Sequence, residues 1–340
     1  MNSRNVLCGP ILPVYILRHS RVDNIDLKII RLLTRDSRTP YKNIASAVGI
    51  TPSAMKERIN KMVSNGIIHR FVVLINPIIF GYEKLYVIIV KNIDKKIQEQ
   101  DLFKRISLLG DVIAYSEELE GSYIFGLYVK DIAKDKIETL TDLLKQTTVE
   151  IFFAAFRPPT TMKIHNSDLE IMKCLLSDAR MRLEDIAKET SLSPRTVARR
   201  LEKMRGNRVL LFTISRNLSS TRLTGYMEFD VLINVEIPRH QSILEKIYRE
   251  LEEYLIFIPD WYHREVIVAV FFCANISTAK LILRRLESYD GVKKVGSFIR
   301  SSVTINQDLL KNEIDKRITT SQKYLSSSAA AGAATTTLEN

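Results

Sequence analysis

Cysteine is scarce in this sequence: Cys8, Cys174 and Cys273 are the only ones in 340 residues, none in a CxxC and none with a histidine at ligand spacing. That distribution argues against a disulfide framework and against a zinc site, and it suits a reducing, cytoplasmic setting. Histidine is nearly as sparse. His19, His69, His165, His240 and His263 form no HxxxH or HxxE pair, so neither a metal nor a cofactor is expected, and each reads as surface or hydrogen-bonded structure. No apolar run reaches the ~20 residues that a spanning helix needs, so no membrane partner is expected. The opening residues are broken by Pro10 and Pro13 and carry no basic stretch leading into a long apolar one. Residues 1–21 therefore read as an arm rather than a signal peptide. Glu117, Glu118 and Glu120 have no nucleophile or base near them in sequence; they read as a solvated turn, and no enzyme is expected.

Acidic residues are the minority: 50 Lys and Arg stand against 39 Asp and Glu, a formal charge of +11 with a pI near 9.4. The balance favours a polyanionic partner, of which nucleic acid is the commonest, although an anionic membrane surface attracts the same charge. The length allows two to four domains with buried cores.

What the sequence does contain is a duplication. Asp26 to Met62 and Asp168 to Met204 align without a gap, with identities at Leu27/Leu169, Asp36/Asp178, Arg38/Arg180, Pro52/Pro194, Arg58/Arg200 and Lys61/Lys203. A shared helical period aligns apolar positions by chance, but not polar residues and a proline as well. Each copy reads as three helices. The first runs from about Asp26 to Asp36 and the second from about Tyr41 to Val48, stopping at Gly49. The third opens on Thr51-Pro52, an N-cap hydroxyl followed by proline at the first helical position, and the second copy repeats this at Ser193-Pro194. Met55, Ile59 and Met62, like Val197, Leu201 and Met204, form the inward stripe. This is the helix-turn-helix pattern.

After each unit the period turns strand-like. Asn65-Gly66 signals a turn and residues 67–75 a wing; Arg208 stands where the first copy has Gly66, so the second wing is expected to turn differently. There follow, in order, strand (82–91), helix (96–110), two strands (112–130), helix (133–146) and strand (148–156). The second copy repeats the order over 229–305, reading residues 292–305 as its closing strand. The order β-α-β-β-α-β is the ferredoxin-like plan. The expected fold class is α+β, a tandem duplication of winged helix-turn-helix plus ferredoxin-like domain. Its parts are heads at 22–76 and 164–218, ferredoxin-like domains at 77–157 and 219–305, a linker at 158–163, a helix at 306–324 and a disordered tail at 325–340.

With the apolar stripe turned inward, Ser53, Lys56 and Asn60 point outward, with Arg58 and Lys61 to the side. The second helix is more basic: Arg195, Arg199, Arg200, Lys203 and Arg205 stand against Glu202, with Thr196 at its tip. Short polar and cationic groups around the N-terminal half of such a helix suit the major groove of double-stranded DNA. Arginine binds guanine bidentately or neutralises phosphate, so the second head should grip harder than the first.

These residues resemble the Lrp/AsnC (feast/famine) family of bacterial and archaeal regulators, in a tandem, archaeal-type form. The likeness is carried by the opening from Asn24-Ile25-Asp26-Leu27 to Leu33, by the run from Met55 to Ile68, and by the ferredoxin-like domain that follows, over about 22–156 and again 164–305. The resemblance implies a sequence-specific DNA-binding transcription regulator whose second domain dimerises through its sheet and binds an amino acid or another small effector. The fused copies would form a built-in pseudo-dimer, with a homodimer of whole chains above it. The family's effector turn, glycine-x-aromatic followed by an acid, maps to Gly121-Ser122-Tyr123, with Ile124 in place of the acid; Arg264-Glu265-Val266-Ile267 stands there in the second copy. That change argues against an ordinary amino acid as effector and leaves a different ligand open. Unequal heads imply an imperfect or asymmetric inverted repeat as operator. Siroheme decarboxylases share the two-domain build and are the alternative; they would be expected to gather histidines, arginine and tyrosine around a tetrapyrrole, and His263 in Trp261-Tyr262-His263-Arg264 is the suggestive residue. A non-specific DNA binder is a third reading.

Overall fold

The computed structural model describes residues 22–82, 84–91, 93, 99–118, 120–130, 148–156, 162–216, 225–258, 261–262, 264–306 and 308–320. The arm, most of the linker, the tail, His263 and the helix expected at 133–146 lie outside the described residues.

The first head opens with α1 (Asn24–Arg35). Asp23 accepts from the Asp26 N–H at 2.8 Å while Asp26 accepts from the Asp23 N–H at 3.2 Å, a reciprocal cap that satisfies two otherwise orphaned donors. Helix α2 (Tyr41–Val48) ends at Gly49, whose φ of 75° is left-handed. Helix α3 (Pro52–Ser64) starts at Thr51, whose hydroxyl accepts from the Ala54 N–H, and buries Met55, Ile59 and Met62 as the spacing requires. Strand β1 (Ile68–Ile75) and a short 3-10 turn (Pro77–Phe80) lead into the first sheet: β2 (Lys84–Lys91), α4 (Glu99–Ser107), β3 (Asp111–Glu118), β4 (Tyr123–Val129) and β5 (Thr148–Phe156). The second copy follows with α5 (Asn166–Ser177), α6 (Leu183–Glu189), α7 (Pro194–Gly206) and β6 (Leu210–Arg216). Its sheet is built from β7 (Met227–Val235), β8 (Leu255–Phe257), β9 (Trp261–Tyr262), β10 (Val266–Cys273), β11 (Val292–Phe298) and β12 (Arg300–Ile305), with α8 (His240–Glu250) and α9 (Ile276–Glu287) between them. A helix over 308–320, where 306–324 is expected, sends Ile314 into the core.

Both sheets have the ferredoxin-like order, β3-β4-β2-β5 and β11-β7-β10-β8, but the halves are not independent. The expected wings are corrected by the structure: β1 and β6 pair with each other, Phe71 opposite Ile214 and Val72 opposite Thr213, in an antiparallel two-stranded ribbon. The reason is elementary. A single strand after each head has a row of unpaired N–H and C=O groups, and the equivalent strand of the other copy offers a matching row with the same apolar alternation. The second turn is corrected too. Arg208 adopts φ 55° where Gly66 has 69°, and Ser191 adopts 53° where Gly49 has 75°, so the two heads keep one backbone despite losing both glycines.

Two further strands break where the sequence reads on. Residues 292–305 split: β11 pairs with β7 of the second sheet, then β12 crosses to pair with β3 of the first. Likewise β9, between β8 and β10, pairs with the end of β5. The first sheet therefore carries a strand of the second half at each edge, which closes edges that would otherwise stay unpaired. The heads cross over in the same way. Ile30, Met55 and Ile59 of the first head share a core with Ile256, Val270 and Phe272 of the second half. Met172, Leu201 and Met204 of the second head share one with Val73, Phe80 and Tyr82 of the first. Arginines staple the heads together. Arg38 donates to the carbonyls of Ala179 (2.8 Å) and Met181 (3.0 Å), and its repeat-mate Arg180 lies over the Tyr41 and Phe71 rings.

Candidate nucleic-acid interface

The residues expected on α3 and α7 divide into two groups. Ser53, Lys56, Asn60 and Lys61 are exposed, as are Arg195, Arg199 and Lys203; Thr196 is half-buried beside the Ser193 cap, their hydroxyls 2.9 Å apart. The five cations among them have no ion pair among the described residues, so their charge is available to a polyanion. Arg58 and Arg200 are placed differently from the other cations. Arg58 donates to Asp23 and Asp26, both at 2.8 Å, and those hydrogen bonds, Asp26 first, hold its pKa above the usual arginine value. Arg200 donates at 2.9 Å to Asp168, whose side chain is 0% exposed. Both sit one step round the helix from the outward face, where they reach α1 or α5 and fasten the recognition helix to its neighbour. Each therefore has an intramolecular carboxylate partner, which the exposed cations of the outward face lack among the described residues. Arg205 is also engaged: it pairs with Asp36 of the first head at 2.5 Å.

Opposite the buried stripe, the middle of the outward face is set by spacings of four and three. On α3 it runs Ser53, Glu57, Asn60, Ser64; on α7 it runs Arg195, Arg199, Glu202, Gly206, all of them exposed. Lys56 and Lys61 flank the first ridge, one on each side. Glu57 is the residue that a search for cations passes over, although its place four positions after Ser53 is readable from sequence.

The expected effector turn lies elsewhere, at the junction of the two halves. Gly121 is left-handed (φ 83°) in the β3–β4 turn, its N–H bonding the Glu118 carbonyl at 2.9 Å; Ser122 is buried, and Tyr123 stacks on Phe125. The solvated turn expected there is only half right. Glu117 and Glu120 are exposed, but Glu118 is buried, and burial pushes its pKa up to about 7 against the help of the Ser116 hydroxyl 3.0 Å away. Arg300 stands at the strand hand-over: its backbone pairs with Glu118 across β12 and β3, and its guanidinium is bonded to Asp230 on β7. Burial raises the Asp230 pKa as well. Glu118 Oε2 and Asp230 Oδ1 are buried without a hydrogen-bond partner. Among the described residues no cluster of metal-ligating side chains forms, and no helix is long and apolar enough to cross a membrane.

Comparison with known proteins agrees with this geometry. A model of the AsnC-type helix-turn-helix domain matches residues 22–63 and again 166–205. An uncharacterised HTH-type transcriptional regulator of Pyrococcus horikoshii is 35% identical over 101 residues, 28% of this chain and 64% of that protein. The regulatory protein AsnC of Haemophilus influenzae is 40% identical over 62 residues, 18% of this chain and 41% of that one. The chain thus spans less than two thirds of the length of these relatives. Among solved structures, that of the siroheme decarboxylase NirDL superposes over 89% of this chain and all (100%) of its own, with a TM-score of 0.50 and 14% identity, a likeness of fold alone. Two AsnC-type helix-turn-helix domains, capped alike and set where the duplication predicts them, are what this chain shares with the AsnC-type regulators it resembles.

Proposed function

We propose that the chain is a cytoplasmic, sequence-specific regulator of transcription in which two unequal helix-turn-helix heads of one molecule read double-stranded DNA together. The observation that carries this reading is the pair of capped recognition helices whose exposed cations, Lys56 and Lys61 on one and Arg195, Arg199 and Lys203 on the other, have no ion pair among the described residues. The arginine staples and the β1–β6 ribbon fix the heads relative to each other, so one chain supplies the two-headed unit that a homodimer would otherwise form. A homodimer of whole chains is the assembly expected above this unit, and a single-chain mass by light scattering at micromolar concentration would remove it. A small effector, if one acts, has the Gly121-Ser122-Tyr123 turn beside Glu118 as its place.

Binding to genomic fragments with random competitor, at two salt concentrations, tests the function. Retention of particular fragments at the higher salt supports it; uniform loss of all binding with salt reduces the chain to a non-specific binder. Arg199→Ala is expected to weaken retention about tenfold and Lys56→Ala by less, since arginine alone makes the forked contact. The full-length likeness to a siroheme decarboxylase favours one second reading, a tetrapyrrole enzyme on the same fold. A Soret shift when tetrapyrrole is added to the purified protein, together with no DNA retention, would establish it.

A further inference from the structure

Position six of the recognition helix carries opposite charge in the two heads: Glu57 on α3, Arg199 on α7. Each is exposed, each sits mid-ridge opposite the buried stripe, and neither has an ion pair or a side-chain hydrogen bond among the described residues. A carboxylate without a partner at the centre of a surface meant for a polyanion weakens binding to every sequence alike through phosphate repulsion. It is compensated only where a base offers it a donor. In the major groove the amino groups are cytosine N4 and adenine N6, and adenine sets its N7 acceptor beside the amino group, which repels the second carboxylate oxygen. Guanine presents only acceptors, O6 and N7, which suit the arginine fork and reject a carboxylate.

We infer that Glu57 and Arg199 are the specificity-determining pair of the two heads, the first selecting cytosine and the second guanine at the same position of their respective half-sites. The inference rests on the DNA-reading function proposed above. It explains why the heads keep one backbone while exchanging the charge at the ridge centre: geometry is shared so that position six meets the same step of each half-site, and chemistry differs so that the two half-sites are unlike. The operator is then a composite of two half-sites that differ by design at this step, and reversing its direction relative to the chain exchanges a favourable contact for a repulsive one at both ends.

Selection from randomised duplexes by the full chain tests it, with wild type, Glu57→Arg, Glu57→Gln and Arg199→Glu run side by side. Wild type is expected to enrich two unlike half-sites, one with cytosine and the other with guanine at corresponding steps, each preferred about tenfold or more over the alternatives. Glu57→Arg is expected to turn that cytosine into guanine and leave the other half-site unchanged; Arg199→Glu does the converse. Glu57→Gln loses the cytosine preference while total affinity does not fall. Both residues exchanged are on exposed helix surface, and thermal melts that coincide with wild type confirm that the variants fold. If Glu57→Arg and Glu57→Gln enrich the wild-type bases at every step, the inference is wrong while the DNA-reading function stands. If no protein enriches any sequence, that function fails and takes the inference with it.

Discussion

The first head fastens its recognition helix through Arg58, shared between Asp23 and Asp26, carboxylates whose side chains are 50% and 14% exposed. The second uses Arg200 and one acid, Asp168, which is fully buried; His165 takes the place of Asp23 and offers only its backbone N–H, 2.9 Å from Asp168. The same helix contact is thus made once at the wet surface and once in the interior. A duplicated motif can hold its geometry while the energetic weight of a single pair changes severalfold, because water, not distance, sets that weight.

The largest expected effect follows from this. Arg200→Ala leaves the buried Asp168 charge uncompensated and is expected to lower the stability of the second head by ~3–5 kcal/mol. Arg58→Ala leaves carboxylates that water reaches and is expected to cost ~1 kcal/mol or less. Native-state hydrogen exchange of α7 and α3 amides measures each head separately. Equal losses would break the comparison, showing that both pairs work through the same environment.

A second contrast lies between the sheets. Leu85 and Val87 pack with Ile113 and Ile124 on one face of the first sheet, whereas the corresponding alternation on β7 presents Glu228 and Asp230. Around the hand-over, Glu118, Asp230 and Glu228 stand against two cations, Arg300 and Arg216, and Glu120 lies at the edge of the group. Burial first, and the neighbouring Asp230 and Glu120 charges after it, make Glu118 hold its proton to about pH 7 instead of the ordinary 4.5. An acid whose folded pKa is raised binds more protons folded than unfolded between those values, so stability falls as pH rises from 4.5 to about 7 and is level beyond. The drop is at most ~3 kcal/mol. Glu118→Gln is expected to flatten urea midpoints across that range and raise them at pH 8. A profile indifferent to the substitution would move the excess charge to another group.

How much of this was legible depends on where each interaction is decided. The caps at Thr51 and Ser193, the stripes Met55-Ile59-Met62 and Val197-Leu201-Met204, and the ferredoxin-like order are local and periodic, and the sequence shows them. The β1–β6 ribbon, the crossing of β12 to β3 and the sharing of cores between halves are decided by pairing across the duplication, which no local pattern specifies. Arg58 and Lys61 illustrate the limit on the site. Both are cations on one flank-to-ridge arc, and only the placement of Asp23 and Asp26 shows that the first is taken while the second has no ion pair among the described residues. Glu118 lies in a stretch of acids that reads as solvated; its burial is supplied by Arg300 and β12, far away in sequence.

The smallest expected effect concerns the backbone the heads share. Gly49 and Ser191 occupy one left-handed position, and so do Gly66 and Arg208. A side chain in that region costs ~1–2 kcal/mol from the contact of Cβ with the following carbonyl, offset by ~0.4–1 kcal/mol because glycine has more freedom to lose on folding. A Cβ built on Gly49 meets nothing within 4 Å, so no packing clash adds to the backbone strain. Gly49→Ser is therefore expected to lower stability by ~0.5–1 kcal/mol and Ser191→Gly to raise it by about as much. The two changes act on the same turn in opposite directions, and together they should cancel in the whole chain while moving exchange rates in α3 and α7 apart. If Gly49→Ser instead costs several kcal/mol, the first head depends on its turn in a way the second does not, and the shared backbone would conceal a real difference in how the heads are held.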